Sequence, residues 1–160
     1  MKRRGGGKIP FVPSPHDVVE RMLALADPRP DELLIDLGSG DGRIIITAAE
    51  KYRCKTLGVE LDEKLIEESI RKVLRKSLTD RVKIVRADLH KYDFSKANII
   101  TLYLLPKTLK LLKPKLLSLE RGSRIICHDF PIPDLAPDEV ITLRSSETGK
   151  LHRIYLYEIG

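Results

Sequence analysis

Short apolar blocks alternate along the chain between helical and strand-like spacing. Ser14 followed by Pro15 marks a helix start, a capping hydroxyl and then proline at the first helical position. Val18, Val19, Met22, Leu23 and Ala26 follow at helical intervals until Asp27-Pro28 stops the run. Leu33–Leu37 is then a compact apolar run, as a strand buried on both faces of a parallel sheet requires. After the glycine-rich turn Gly38–Gly42 comes a helix over Ile44–Tyr52, and the second strand is expected at Thr56–Glu60.

An amphipathic helix over Glu63–Lys76 places Leu65, Ile66, Ile70, Val73 and Leu74 on one face. Strands follow at Val82–Arg86, Ala97–Tyr103 and Ser123–His128. Between the last two, Leu109–Leu119 is interrupted by Pro114, which predicts two helical pieces or a helix entered at that proline. Val140–Arg144 and Leu151–Glu158 flank a turn at Thr148-Gly149 and read as a terminal hairpin. Strands alternating with helices require right-handed crossovers. The expected fold is therefore α/β, a doubly wound, mostly parallel seven-stranded sheet with a C-terminal antiparallel hairpin.

With 160 residues, residues 9–160 are read as a single domain behind a flexible basic tail at 1–8. No apolar run reaches the roughly 18 residues needed to span a bilayer, and no apolar segment follows Lys2, Arg3 and Arg4. The chain is expected to be cytoplasmic, without membrane association, and monomeric. Cys54 and Cys127 are far apart and read as reduced thiols near the core. Charged residues make up 32%, glutamine is absent and Asn98 is the single asparagine, a thermophile-like composition. The net charge of +6 and the tail admit a nucleic-acid partner without requiring one.

The chemistry is concentrated in Asp36-Leu37-Gly38-Ser39-Gly40-Asp41-Gly42-Arg43, between a buried strand and a helix, where open α/β sheets bind ligands. A P-loop would need lysine and a hydroxyl residue after its last glycine, but Arg43 and Ile44 stand there. A dinucleotide fingerprint would need glycine where Arg43 lies. Asp36 and Asp41 would repel a pyrophosphate, so the loop suits a cationic ligand. Glu60 closes the second strand, where a carboxylate can accept from ribose hydroxyls, and Asp88 follows the third.

Leu34–Gly42 resembles the first motif of class I, Rossmann-like S-adenosylmethionine-dependent methyltransferases, with an acid two residues before the first glycine of G-x-G-x-G. The resemblance implies that Asp36 faces the cofactor's ammonium. Gly38 and Gly40 then line its methionine half, Ser39 and Asp41 offer backbone groups, and Asp88 accepts from the adenine amino group. Gly42, Leu61, Leu89, Phe11, Pro13 and Ser14 complete the candidate cofactor set.

Phe11-Val12-Pro13-Ser14-Pro15, Asp36–Ala48, Thr101–Leu105, Leu112–Leu116, His128-Asp129-Phe130 and Tyr155–Gly160 further resemble the archaeal broad-specificity protein lysine methyltransferases and their mitochondrial relatives. Two departures are modest: Ser39 replaces a cysteine or other small residue, and Ser14 replaces a common threonine. The resemblance implies methyl transfer to lysine in proteins with exposed lysines, leaving S-adenosylhomocysteine.

A lysine nucleophile must be neutral, and an apolar aromatic channel lowers an amine's pKa by desolvation. Tyr103, Phe130 and Phe11 are the candidate channel, with core packing as the alternative use of each. His128 is the nearest candidate base, although a histidine inside a buried strand is commonly structural. His16, His90 and His152 show no ligand spacing, and no metal is expected.

Rival readings are a nucleic-acid methyltransferase, a small-molecule methyltransferase and a non-catalytic binding module. Enzymes that methylate base amines place Asp or Asn, Pro, Pro and an aromatic residue after the fourth strand. Thr101-Leu102-Tyr103-Leu104-Leu105-Pro106 lacks that side chain.

Overall fold

The computed structural model describes residues 11–160; the basic segment at 1–8 lies outside the described residues. The chain runs α1 (His16–Ala26), β1 (Leu33–Leu37), α2 (Arg43–Tyr52), β2 (Lys55–Glu60), α3 (Glu63–Arg75), β3 (Val82–Arg86), β4 (Ile99–Leu102), α4 (Pro106–Leu117), β5 (Arg124–His128), β6 (Glu139–Arg144) and β7 (Leu151–Glu158). The strands form one seven-stranded sheet in the order β3-β2-β1-β4-β5-β7-β6. The first five are parallel, and β7 inserts antiparallel between β5 and β6.

Two apolar cores cover the two faces. Val18, Met22, Leu23 and Ile45 of α1 and α2 pack on one, joined by Val73 of α3. Leu109, Leu112 and Leu116 of α4 pack with Phe94 and Tyr157 on the other. Cys54 belongs to the first core and Cys127 to the second, and both thiols are free. The central strands β1, β4 and β5 are buried almost throughout, which accounts for their largely apolar runs, interrupted by Asp36 in β1 and Thr101 in β4. From β1 the chain builds outward through β2 and β3, then returns to place β4 on β1's other side. That reversal opens a crevice at the strands' carboxyl ends.

Three local expectations change. The residue preceding α1 is Pro15, not Ser14, and no side chain caps the helix; the Ser14 hydroxyl goes to His128 instead, at 2.8 Å. Pro114 does not divide α4, which is one helix entered at Pro106. The missing proline N–H costs one backbone bond, while the buried leucine stripe on both sides holds the helix to the sheet. On α3 only Ser69 and Val73 are buried, and Ile70 and Leu74 are 43% and 60% exposed. The helix lies over the sheet margin at β2 and the edge strand β3, where Ile70 and Leu74 line an open groove with Thr79, Val82 and Ile84 rather than a closed core.

Candidate functional site

A cleft of about 500 Å³ opens at the carboxyl ends of β1, β2 and β4. Gly38, Ser39 and Asp41 of the glycine turn contribute to its lining. Gly38, Gly40 and Gly42 all have positive φ (83°, 59° and 84°), which glycine adopts without the steric cost other residues bear. Gly58, inside β2, was not singled out from the sequence, yet a Cβ there would lie 2.5 Å from Ser39 Oγ. A glycine interrupting a strand is the signal of such close approach.

The expected acids converge. Asp36, on buried β1, accepts from Thr101 Oγ1 of the neighbouring strand at 2.8 Å. Burial, opposed by that hydrogen bond and reinforced by the Glu60 and Asp41 charges, raises its carboxyl to about 7. Glu60 Oε1 accepts from Gly40 N at 2.8 Å, and Oε2 accepts from Leu61 N and Asp62 N, both at 3.0 Å. It therefore ties the glycine turn to the segment before α3. Asp88 Oδ1 accepts from His90 N at 2.9 Å and starts the turn after β3.

Asp41 behaves differently from the other acids. Arg43 Nη2 reaches its Oδ2 at 2.7 Å and Lys72 Nζ lies 3.4 Å away. Burial works to raise this carboxyl, but the Arg43 and Lys72 charges outweigh it and hold it below the usual aspartate range. Arg43 Nη1 also donates to Ser14 O at 2.9 Å, anchoring the leading segment over the turn. Arg43, Thr101 and Lys72 were not anticipated; a threonine beside an aspartate in a paired strand becomes visible only once the register is known.

Ser69 was likewise missed. Its Oγ donates to Gly40 O at 3.1 Å and to Leu65 O at 3.0 Å. A serine on the inward face of an amphipathic helix was the available signal.

Phe11, Pro13, Ser14, Asp36, Gly38, Ser39, Asp41, Glu60, Leu61, Asp88 and Leu89 line the cleft, as do Tyr103 and Phe130. Gly40, Gly42 and His128 do not. Gly40 lies beneath Phe11, where a Cβ would come within 2.3 Å of the ring, and Gly42 faces Ser69 of α3. His128 is fully buried behind Tyr103, with ring centroids 4.0 Å apart. Burial, with Asp129 opposing and His152 reinforcing it, lowers its imidazole to about 4. The Tyr103 and Phe130 rings stack with centroids 6.3 Å apart. Burial and then the Asp129 charge raise the Tyr103 phenol.

The model of the ANTKMT methyltransferase domain matches residues 36–139. The chain belongs to the ANTKMT methyltransferase family. Its relatives resemble it over different extents. It is 40% identical over 154 residues to a protein-lysine N-methyltransferase of Saccharolobus islandicus, covering 95% of this chain and 94% of that one. With the adenine nucleotide translocase lysine N-methyltransferase of Mus musculus it shares 32% over 135 residues, 84% of this chain but 58% of that one. A crystal structure described as an RNA methyltransferase from Salinibacter ruber, in complex with S-adenosyl-L-homocysteine, superposes with a TM-score of 0.85 at 38% identity, covering 92% and 94%.

This member of the ANTKMT methyltransferase family uses S-adenosylmethionine. The cleft fits that group on its own terms. Ser39 Oγ is a buried side-chain oxygen without a hydrogen-bond partner among the described residues. Asp36, 4% exposed and lining the same cleft, has the Thr101 hydroxyl on Oδ1 as its hydrogen bond among the described residues, and the carboxylate is able to take a cation from the cleft.

Proposed function

We propose that this methyltransferase methylates the side-chain amine of lysine in proteins. The observation that carries the reading is the 40% identity to a protein-lysine N-methyltransferase, spread over 95% of the chain. The Tyr103–Phe130 wall beside the acidic cleft supplies a fitting chemistry.

When bound, S-adenosylmethionine supplies an electrophilic methyl group on a sulfonium. The Asp36 carboxylate would hold the ammonium of its methionine half, and Gly38 would give that half room. Three backbone N–H groups occupy Glu60. A carboxylate offers about four lone-pair directions, so one remains for a ribose hydroxyl. Asp88 would accept from the adenine amino group, and Leu61 and Leu89 would supply apolar surface for the ring. Phe11, Pro13 and Ser14 close the cleft from above. Asp41 acts through Arg43 and Lys72, by fixing the shape of the turn.

The acceptor lysine, with a pKa of about 10.4 in water, must lose a proton before it attacks. Tyr103, Phe130, Leu104 and Leu105 give the cleft an uncharged lining. They disfavour the ammonium by removing its water, and the proton leaves to solvent as the amine docks. With the cofactor bound, this wall would hold the neutral amine in place for attack, and such positioning lowers the barrier.

A second reading, RNA methylation, is favoured by one specific observation: the Salinibacter ruber neighbour is described as an RNA methyltransferase. Against it, no carboxylate or amide side chain stands over Leu102–Pro106 to accept from a base amino group. Among the described residues no helix is long and apolar enough to cross a membrane, and the proposed setting is a monomer in the cytoplasm.

The test is incubation with methyl-labelled cofactor and total cell extract. Protease should release the label and nuclease should not, with methylated lysine in the hydrolysate. Label lost to nuclease alone would replace lysine with RNA as the acceptor.

A further inference from the structure

His128 ends β5, Asp129 follows it in left-handed backbone conformation (φ 63°), and His152 is the second residue of β7. Aspartate is among the few non-glycine residues that tolerate that conformation. The backbone fixes the arrangement. Asp129 N donates to Arg153 O at 2.7 Å, and Arg153 N donates back to Asp129 Oδ1 at 3.1 Å. Oδ1 is thereby held, and Oδ2 faces the two histidines. None of the three residues lines the cleft.

His128 Nε2 and His152 Nδ1 are 2.9 Å apart, and Asp129 Oδ2 lies 3.4 Å from the first and 3.3 Å from the second. Ligands about 2.0–2.1 Å from a tetrahedral ion stand about 3.3 Å from one another. The outer ring nitrogens have partners of their own. His128 Nδ1 meets Ser14 Oγ at 2.8 Å, and His152 Nε2 meets Thr148 Oγ1 at 3.3 Å. If each outer N–H donates to its hydroxyl, both inner nitrogens present lone pairs to the same space as Asp129 Oδ2. Metal-ligating histidines are commonly oriented by such outer hydrogen bonds.

A shared proton is the competing account. A proton on His128 Nε2 serves the 2.9 Å contact but leaves His152 Nδ1 and Asp129 Oδ2 facing each other as two acceptors. A proton on His152 Nδ1 must divide itself between two acceptors. One cation satisfies all three edges at once.

We propose that His128, Asp129 and His152 bind one divalent ion of the zinc type, with water completing the coordination. Two imidazoles and a carboxylate suit zinc, cobalt(II) or iron(II) rather than calcium or magnesium, which prefer all-oxygen sets. The His128 side chain is fully buried and that of Asp129 is 27% exposed, so the ion reaches the site from the Asp129 side. It ties the end of β5 to β7 directly behind the Tyr103 ring, and so stiffens the backing of the aromatic wall.

The test uses untagged, chelator-treated protein titrated with cobalt(II). Visible absorption of tetrahedral intensity should grow to one equivalent, be displaced by zinc, and not respond to magnesium. Zinc should also raise the melting temperature. His152→Ala and Asp129→Asn should each lower cobalt affinity at least about tenfold, the scale of losing a metal-site group. Asn keeps an oxygen for Arg153 N, so that variant still reports if His152→Ala does not fold. A folded wild type with no cobalt band and no zinc-dependent melting shift would overturn the proposal. So would a band unchanged in both variants, which would place the ion on His16 or His90. Neither readout needs methyl transfer, so this test stands apart from the question of the acceptor.

Discussion

Thr101 Oγ1 donates to Asp36 Oδ1 at 2.8 Å, and the two residues are direct partners across the β4–β1 ladder. This is the hydrogen bond that the Asp36 carboxyl has among the described residues, and it does not fully compensate the loss of water around it. The raised value of about 7 makes the site sensitive to pH near neutrality. Asp36 binds a proton more tightly folded than unfolded, so its contribution to stability is full below its ordinary value of 3.8 and is lost as pH rises toward 7. A cationic ligand needs the ionised form. Cofactor affinity should therefore rise from pH 6 to about 7.5, with proton release measurable by calorimetry in buffers of different ionisation enthalpy. Asp36→Asn should bind weakly with this dependence removed; a variant retaining the same pH profile would take the ammonium contact away from Asp36.

Thr101→Val keeps the volume and removes the donor. The buried carboxyl then lacks its partner, which costs about 1–3 kcal/mol for a hydrogen bond to a charged group. Cofactor affinity at pH 7 should fall by a comparable amount, with an unchanged far-UV spectrum. Affinity equal to wild type would mean that Thr101 does not tune Asp36.

Gly40→Val introduces a side chain at φ 59°, where a Cβ meets the Phe11 ring at 2.3 Å. Strained backbone of this kind costs about 1–3 kcal/mol, which a sheet this extensively paired should survive. The cofactor, however, should lose its closed roof, and affinity should drop at least about tenfold (roughly 1.4 kcal/mol). Titration and circular dichroism on the same sample separate the two effects. Normal binding would show that Phe11 and the turn relax without consequence.

Much of this was legible in the chain. The buried strands β1, β4 and β5 appear as short, largely apolar runs, and Leu34–Gly42 marks the turn, because both follow from local sequence. Tertiary partners were not legible. The destination of the Ser14 hydroxyl depends on His128, 114 positions away, so a capping role was the natural local reading. Glu60 could be placed at the end of β2, but its three backbone donors depend on how the turn and α3 approach it. His152 had no neighbour of interest in sequence, since only the β5–β7 pairing brings it to His128. The exposed stripe of Ile70 and Leu74 shows the same limit: periodicity gives a face but not whether a neighbour covers it.

Tyr103→Phe keeps the stack with Phe130 and the contact with His128 but removes the hydroxyl. Turnover should fall more than cofactor affinity; single-turnover kinetics alongside binding titration measure both. Equal losses would move Tyr103 from the acceptor's side to the cofactor's.

The account rests on the acidic, glycine-lined cleft as the seat of a cationic nucleoside. Isothermal titration of the folded protein with S-adenosylmethionine addresses it directly. One site per chain is predicted, with binding displaced by S-adenosylhomocysteine and weakened in Asp36→Asn. No heat with either compound, in a sample that melts cooperatively, would contradict it.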